Sequence, residues 1–255
     1  MIAAALASGA VIGLVLGLVG GGGSILAVPL LVYVVGVSSA HAAIGTAAVA
    51  VAANAAASLI GHARAGTVKW PCALVFAAAG VAGAAIGAEI GKAVDGKRLL
   101  MLFGLLMIGV GLSMLRKRRT VEAPDVRLSR ATASTLLPRL VPIGLGVGLA
   151  AGFFGIGGGF LIVPGLMMAT AMPLKNAVGT SLVVVTALGL TTAASYALSG
   201  YVDWLLVALM IAGGVAGSGV GIALGRRLAA SKGMLERIFA LIVIAVGIYV
   251  AVRGS

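Results

Sequence analysis

Charge is what this sequence has least of. Only 9% of its 255 residues are Asp, Glu, Lys or Arg, where a soluble globular chain carries roughly a quarter. So few ionic groups cannot surface a water-soluble domain of this length, and that class is excluded. A single cysteine, Cys72, excludes an intrachain disulfide and a cysteine-based metal site. There is no His-Glu-x-x-His and no pair of acids inside an apolar run, so an intramembrane hydrolase has no catalytic set. A glycine cluster at 20–23 has the look of a phosphate loop. However, no Gly-Lys-[Ser/Thr] follows it and no acidic ribose partner lies downstream, so neither a nucleotide cofactor nor ATP-driven work is expected. Acids are scarcer than bases, 6 against 18, for a net charge of +12. The bases fall mostly between apolar stretches, where they orient a chain in a bilayer, and nucleic-acid binding is not expected.

Apolar sequence fills the space. Hydrophobic residues make up 61% of the chain and the mean hydropathy is +1.21. Stretches 74–90, 99–115, 181–198 and 238–252 carry at most one charge each, and are the length of membrane helices, about 17–25 residues. Forty glycines suit helices that pack closely through small residues. These features predict an all-α, multi-pass membrane protein. The first apolar segment lacks a basic n-region and a usable cleavage site, so it reads as part of the mature chain.

The chain is written twice. Gly17-Leu18-Val19-Gly20-Gly21-Gly22-Gly23-Ser24-Ile25-Leu26-Ala27-Val28-Pro29 returns 135 residues later as Gly152-Phe153-Phe154-Gly155-Ile156-Gly157-Gly158-Gly159-Phe160-Leu161-Ile162-Val163-Pro164. At an offset of 134, His41-Ala42-Ala43-Ile44-Gly45-Thr46 matches Lys175-Asn176-Ala177-Val178-Gly179-Thr180. Gly66-Thr67-Val68-Lys69-Trp70 likewise matches Gly200-Tyr201-Val202-Asp203-Trp204. Agreement across a whole half marks a duplication. The expected units are a first repeat at 1–115, a basic cytoplasmic linker at 116–137 and a second repeat at 138–255. Each repeat holds a glycine-broken segment and three clean apolar runs: 2–37, 40–61, 70–91 and 98–115, then 138–172, 176–198, 203–225 and 234–252.

If each broken segment crosses once, the halves are parallel; if it enters and returns, they are inverted. Single crossings divide Lys and Arg 10 to 8, whereas re-entrant hairpins place 14 on one side and 4 on the other. The positive-inside rule favours the second arrangement, which predicts inverted repeats with both termini outside the cytoplasm.

A helix broken at matching places in two halves points to a transporter's binding site. Freed backbone groups persist in a bilayer only when buried in protein or lining a watery cavity, and a helix start offers N–H donors to an anion. Candidate substrate-binding residues are therefore Gly20, Gly21, Gly22, Gly23 and Ser24, with Gly155, Gly157, Gly158 and Gly159. The Gly-Thr steps add Thr46, Thr180 and Ser181 as hydroxyl donors, although such hydroxyls often bond the preceding turn instead. Asn54 and Ser58, four apart, form a polar face, as do Thr191, Thr192 and Ser195 in the other half. Lys175, beside the second step, would bring positive potential to an anion, as would its repeat partner His41, and the neighbouring Asn176 is a further substrate-binding candidate. His41 and Glu89 are the candidates for proton coupling.

The duplicated glycine–proline element, the Ala-x-Gly-Thr step and the Gly-x-Val-x-Trp block resemble the signature of the TauE/SafE family of sulfite exporters, over the whole chain except 116–137. The resemblance implies a secondary transporter in the bacterial inner membrane that exports sulfite, sulfoacetate or a related organosulfur anion. It is not expected to be an enzyme. Its partners would be a small anionic substrate and the lipid bilayer, and a homo-oligomer is left open. An anion channel and a non-transporting membrane assembly or sensory subunit are the alternatives. His41 and Lys175, equivalent in the repeat, differ in chemistry, which argues against a charge role shared by both halves.

Overall fold

The computed structural model describes residues 1–115, 126–155, 159–227 and 232–254; among them there are helices, turns and no strand. Helix α1 (Ile2–Val19) runs into a 3-10 stretch (Gly20–Leu26), a short α2 (Ala27–Pro29) and a π-helical turn (Leu30–Val35). Helices α3 (Ala40–Arg64), α4 (Trp70–Ala93) and α5 (Gly96–Leu115) complete the first half. The second half holds α6 (Ala133–Phe154), α7 (Gly159–Thr170), α8 (Leu174–Leu198), α9 (Trp204–Arg227) and α10 (Lys232–Gly254). Six of these, α3, α4, α5, α6, α8 and α9, are long and apolar enough to cross a membrane. The chain is a multi-pass membrane protein.

Helix ends follow local chemistry. Ser39 caps α3 by accepting from the Ala42 N–H at 3.3 Å, and Gly66 and Gly200, equivalent in the repeat, follow α3 and α8 at φ 66° and 75°, where glycine takes the left-handed turn without steric cost. Helix α6 begins at Ala133, inside the segment whose polarity reads as linker. A turn at Ser129–Thr132 starts it: the Thr132 carbonyl accepts from the Leu136 N–H at 2.9 Å, and Leu136 is buried. Large apolar side chains such as Leu74, Ile86, Leu105 and Leu205 face outward, as a bilayer permits. Trp70 and Trp204 are exposed at the first residues of α4 and α9, the placement of interfacial aromatics.

Glycine ladders set which helices meet. Gly9, Gly13 and Gly17 of α1 lie against Met210, Gly214 and Ser218 of α9, while Gly144, Gly148 and Gly152 of α6 lie against Phe76, Gly80 and Ala84 of α4. In both seams the residue numbers rise together, so the paired helices run parallel, and missing side chains let backbone meet backbone. Each seam joins one half to the other. Helices α3 and α8, the most enclosed spans, meet differently: Gly45 lies against Tyr196, Gly189 against Ala52 and Gly179 against Thr67. They run antiparallel. So do α5 and α10, where Gly104 meets Ala251 and Gly111 meets Ile244.

Candidate functional site

Both glycine breaks turn the chain back on itself. Gly23 lies against the backbone of Ile12–Leu16 in α1, so the chain reverses just after Val19. A Cβ on Gly23 would approach the Leu16 nitrogen to 2.6 Å, which is why the position is bare. The return arm is buried from Gly23 through Pro29, Ser24 fully so. Pro29 removes one backbone donor inside that arm, and the chain widens into the π turn before Gly36, at φ 86°, ends it. In the second half α6 closes on Gly155 at φ 64°, its N–H donating to the Ala151 and Gly152 carbonyls. Helix α7 then runs back along α6, Gly165 lying against Ile143 and Val147. Gly157 and Gly158 lie outside the described residues; Gly159 and Phe160 open α7 and are buried. The stretch Gly20–Leu26 packs against α7, so the two return arms meet inside the bundle.

The Gly-Thr steps brace the two halves against each other. Thr46 Oγ1 accepts from the Asp203 N–H at 3.0 Å, and Thr180 Oγ1 accepts from the Lys69 N–H at 2.9 Å. Lys69 and Asp203 are equivalent in the repeat and stand just before α4 and α9, so each threonine satisfies a donor at a helix start in the opposite half. Gly45 and Gly179 make room for this, lying against Tyr201 and Thr67. Asn176 adds a bond from its side-chain N–H to the Thr67 carbonyl at 3.0 Å. Ser181 donates to the Val178 carbonyl at 2.8 Å, bonding its own preceding turn. Thr46→Val or Thr180→Val is expected to cost about 1–3 kcal/mol by orphaning a partly buried N–H. The check is thermal unfolding of the detergent-solubilised protein, and an unchanged midpoint in both variants would refute the brace.

Asn54 is buried, its side-chain N–H donating to the Met210 carbonyl at 3.4 Å across α9. The amide lies over bare Gly214, and its Oδ1 has no hydrogen-bond partner. Ser8, Ser58, Thr192 and Tyr196 also hold buried oxygens without a partner, as does Nε2 of His41. His41 is part-buried, its ring tilted 5.5 Å from that of Tyr201. Lys175, its repeat equivalent, is exposed near the start of α8. Glu89 is exposed near the end of α4, paired with Lys92 at 2.7 Å and accepting from Ser195 Oγ at 2.8 Å. Thus Asn54 shares the α3–α9 contact, while His41, Lys175 and Glu89 sit toward helix ends. Tyr196 and Ser8 were not singled out from sequence; a tyrosine in an apolar span was the available signal.

Six helices long and apolar enough to cross a membrane, with two glycine-broken hairpins packed among them, define the class: a polytopic membrane protein. The model of the family described as "Sulfite exporter TauE/SafE" matches residues 5–250. The chain belongs to that family. It is 53% identical over 247 residues to a "Probable membrane transporter protein" of Xylella fastidiosa strain 9a5c, covering 97% of this chain and 94% of that one. It is 29% identical to "Probable membrane transporter protein YunE" of Bacillus subtilis strain 168, covering 86% and 87%. No solved structure matches it.

Proposed function

We propose that the protein exports a small anion, namely sulfite, sulfoacetate or a related organosulfur anion, by alternating access between inverted halves. The observation that carries this reading is the pair of glycine-broken hairpins, equivalent in the repeat, whose return arms meet in the buried interior. Donors freed at the start of such arms suit an anion. Inversion is supported by the antiparallel course of α3 with α8 and of α5 with α10, since a rotation exchanging the halves must reverse each of these pairs. The family's description as sulfite exporters supports the substrate class.

In this reading Gly20–Leu26 and the start of α7 hold the substrate, and Asn54 faces the first hairpin's side of the bundle. The side carrying 14 of the 18 Lys and Arg is cytoplasmic. Lys175, exposed on that side, raises the local anion concentration at the entrance. A negative interior already drives anions outward, so uncoupled export is downhill. The test is reconstitution of the purified protein into liposomes loaded with labelled sulfite, sulfoacetate or chloride. Saturable, trans-stimulated flux of sulfite or sulfoacetate, exceeding that of chloride, is expected. Non-saturating flux would identify a channel instead, and no flux of any of the three would overturn the proposal in favour of an assembly or sensory role.

A further inference from the structure

We infer that Tyr196 and Thr192 of α8 form a binding step for the transported oxyanion beside the tip of the second hairpin, an assignment that rests on the anion-transport reading. Both side chains are fully buried, and neither hydroxyl has a hydrogen-bond partner. Four residues apart on one helix, they leave the same face one turn from each other. Buried polar atoms are almost always paired, and an exception calls for a missing partner. Inside a membrane bundle the need is greater, because lipid supplies none.

The surroundings supply no partner of their own. Tyr196 Cβ stands over Gly45 of α3, with the Tyr201 ring 6.2 Å from its own. One turn before Thr192, Leu188 packs on Gly80 of α4. Gly155, the tip of the second hairpin, rests on Ile44, the neighbour of Gly45. Tyr196 thus packs against α3, and Leu188, one turn before Thr192, against α4, while the hairpin tip rests on the next residue of α3. The same positions in the first half are Ser58 and His62. Ser58 is also unpaired, but His62 Nδ1 lies 3.2 Å from Thr67 Oγ1. Among the described residues, only α8 sets two open hydroxyls in succession.

Two O–H donors a turn apart suit an anion with several oxygens better than a monatomic one. Both are neutral, so they hold an oxyanion without the tight grip of a fixed cation, as a step that must also release requires. The nearby acid, Glu89, is engaged by Lys92 and Ser195.

The test compares Tyr196→Phe, Thr192→Val and Thr192→Ser in proteoliposomes with sulfite and sulfoacetate, chloride serving as control. Tyr196→Phe and Thr192→Val should each raise KM for the oxyanion about tenfold, while Thr192→Ser stays near wild type. The melting midpoint of Tyr196→Phe should hold or rise, because the deleted hydroxyl bonds nothing in the protein. Unchanged KM in both hydroxyl-deleted variants, with wild type active, overturns the site and leaves the transport reading standing. A fall in midpoint with activity lost only in proportion to folded protein assigns Tyr196 a packing role and also overturns it. If wild type moves no anion, the transport reading fails and this site fails with it.

Discussion

Gly148→Val is expected to remove the protein from the folded, extractable fraction, at a cost of about 3 kcal/mol or more, the upper end of core overpacking. A Cβ on Gly148 would run into the backbone of Gly80: its carbonyl oxygen, carbonyl carbon and Cα. Backbone cannot turn aside as a side chain can, so α4 and α6 would have to separate. That separation also strips the contacts of Gly144 and Gly152 in the same seam, and close small-residue packing is what drives helix association in a bilayer. The repeat equivalent, Gly13→Val, meets Gly214 in the same way and should fail as badly. Gly146→Val is the control, two residues along the same helix with nothing within 4 Å of its added Cβ. Size-exclusion profiles and melting midpoints of detergent extracts read the difference. A Gly148→Val protein that extracts and melts like the Gly146→Val control would refute the account of the seams.

The ladder shows where sequence reading reaches and where it stops. Glycines spaced every fourth residue at 9, 13 and 17 announce close approach, but they do not say to what. Parallel contact of α1 with α9 and of α6 with α4 depends on tertiary geometry that no local pattern encodes. The helices themselves were legible, because an apolar run bounded by Gly66-Thr67-Val68-Lys69 or Gly200-Tyr201-Val202-Asp203 leaves few alternatives. The start of α6 was not: Thr132 and Ser134 look like linker residues until Leu136 is seen to be buried. At the site, sequence could show that Thr46 and Thr180 carry hydroxyls. It could not show that their oxygens accept from helix starts in the opposite half.

Duplicated positions also separate scaffold from lining. Gly13 and Gly148, or Gly87 and Gly221, stayed glycine in both halves because each faces backbone. Positions that face the interior diverged. Asn54 answers to Leu188, Ser24 to Gly159 and Tyr196 to His62. A substrate or coupling partner that contacts the two halves unequally would relax symmetry at such places while leaving the seams intact. At the hairpin tips themselves glycine stands in both halves, at Gly20 and Gly155.

Gly155→Ala is expected to cut transport by about tenfold or more, through the two separate costs it imposes on one hairpin tip. The first is conformational: Gly155 sits at φ 64°, where a Cβ crowds the carbonyl and adds about 1–2 kcal/mol. The second is steric, because the new methyl would overlap Cγ2 of Ile44 on α3. Only the second involves a partner that can be removed. Ile44→Ala alone should cost about 2–5 kcal/mol, since Ile44 is buried and leaves a cavity. In the double variant the methyl added at the hairpin tip occupies part of that cavity, so its destabilisation should fall short of the sum of the singles by about 0.5–3 kcal/mol. The conformational cost remains, so the double variant should not regain wild-type stability. Chemical or thermal unfolding of the four proteins gives the cycle, and sulfite flux in proteoliposomes reads the function beside it. Strict additivity would mean that the tip does not rest on Ile44, and full activity in Gly155→Ala would mean that the shape of the break does not matter to transport.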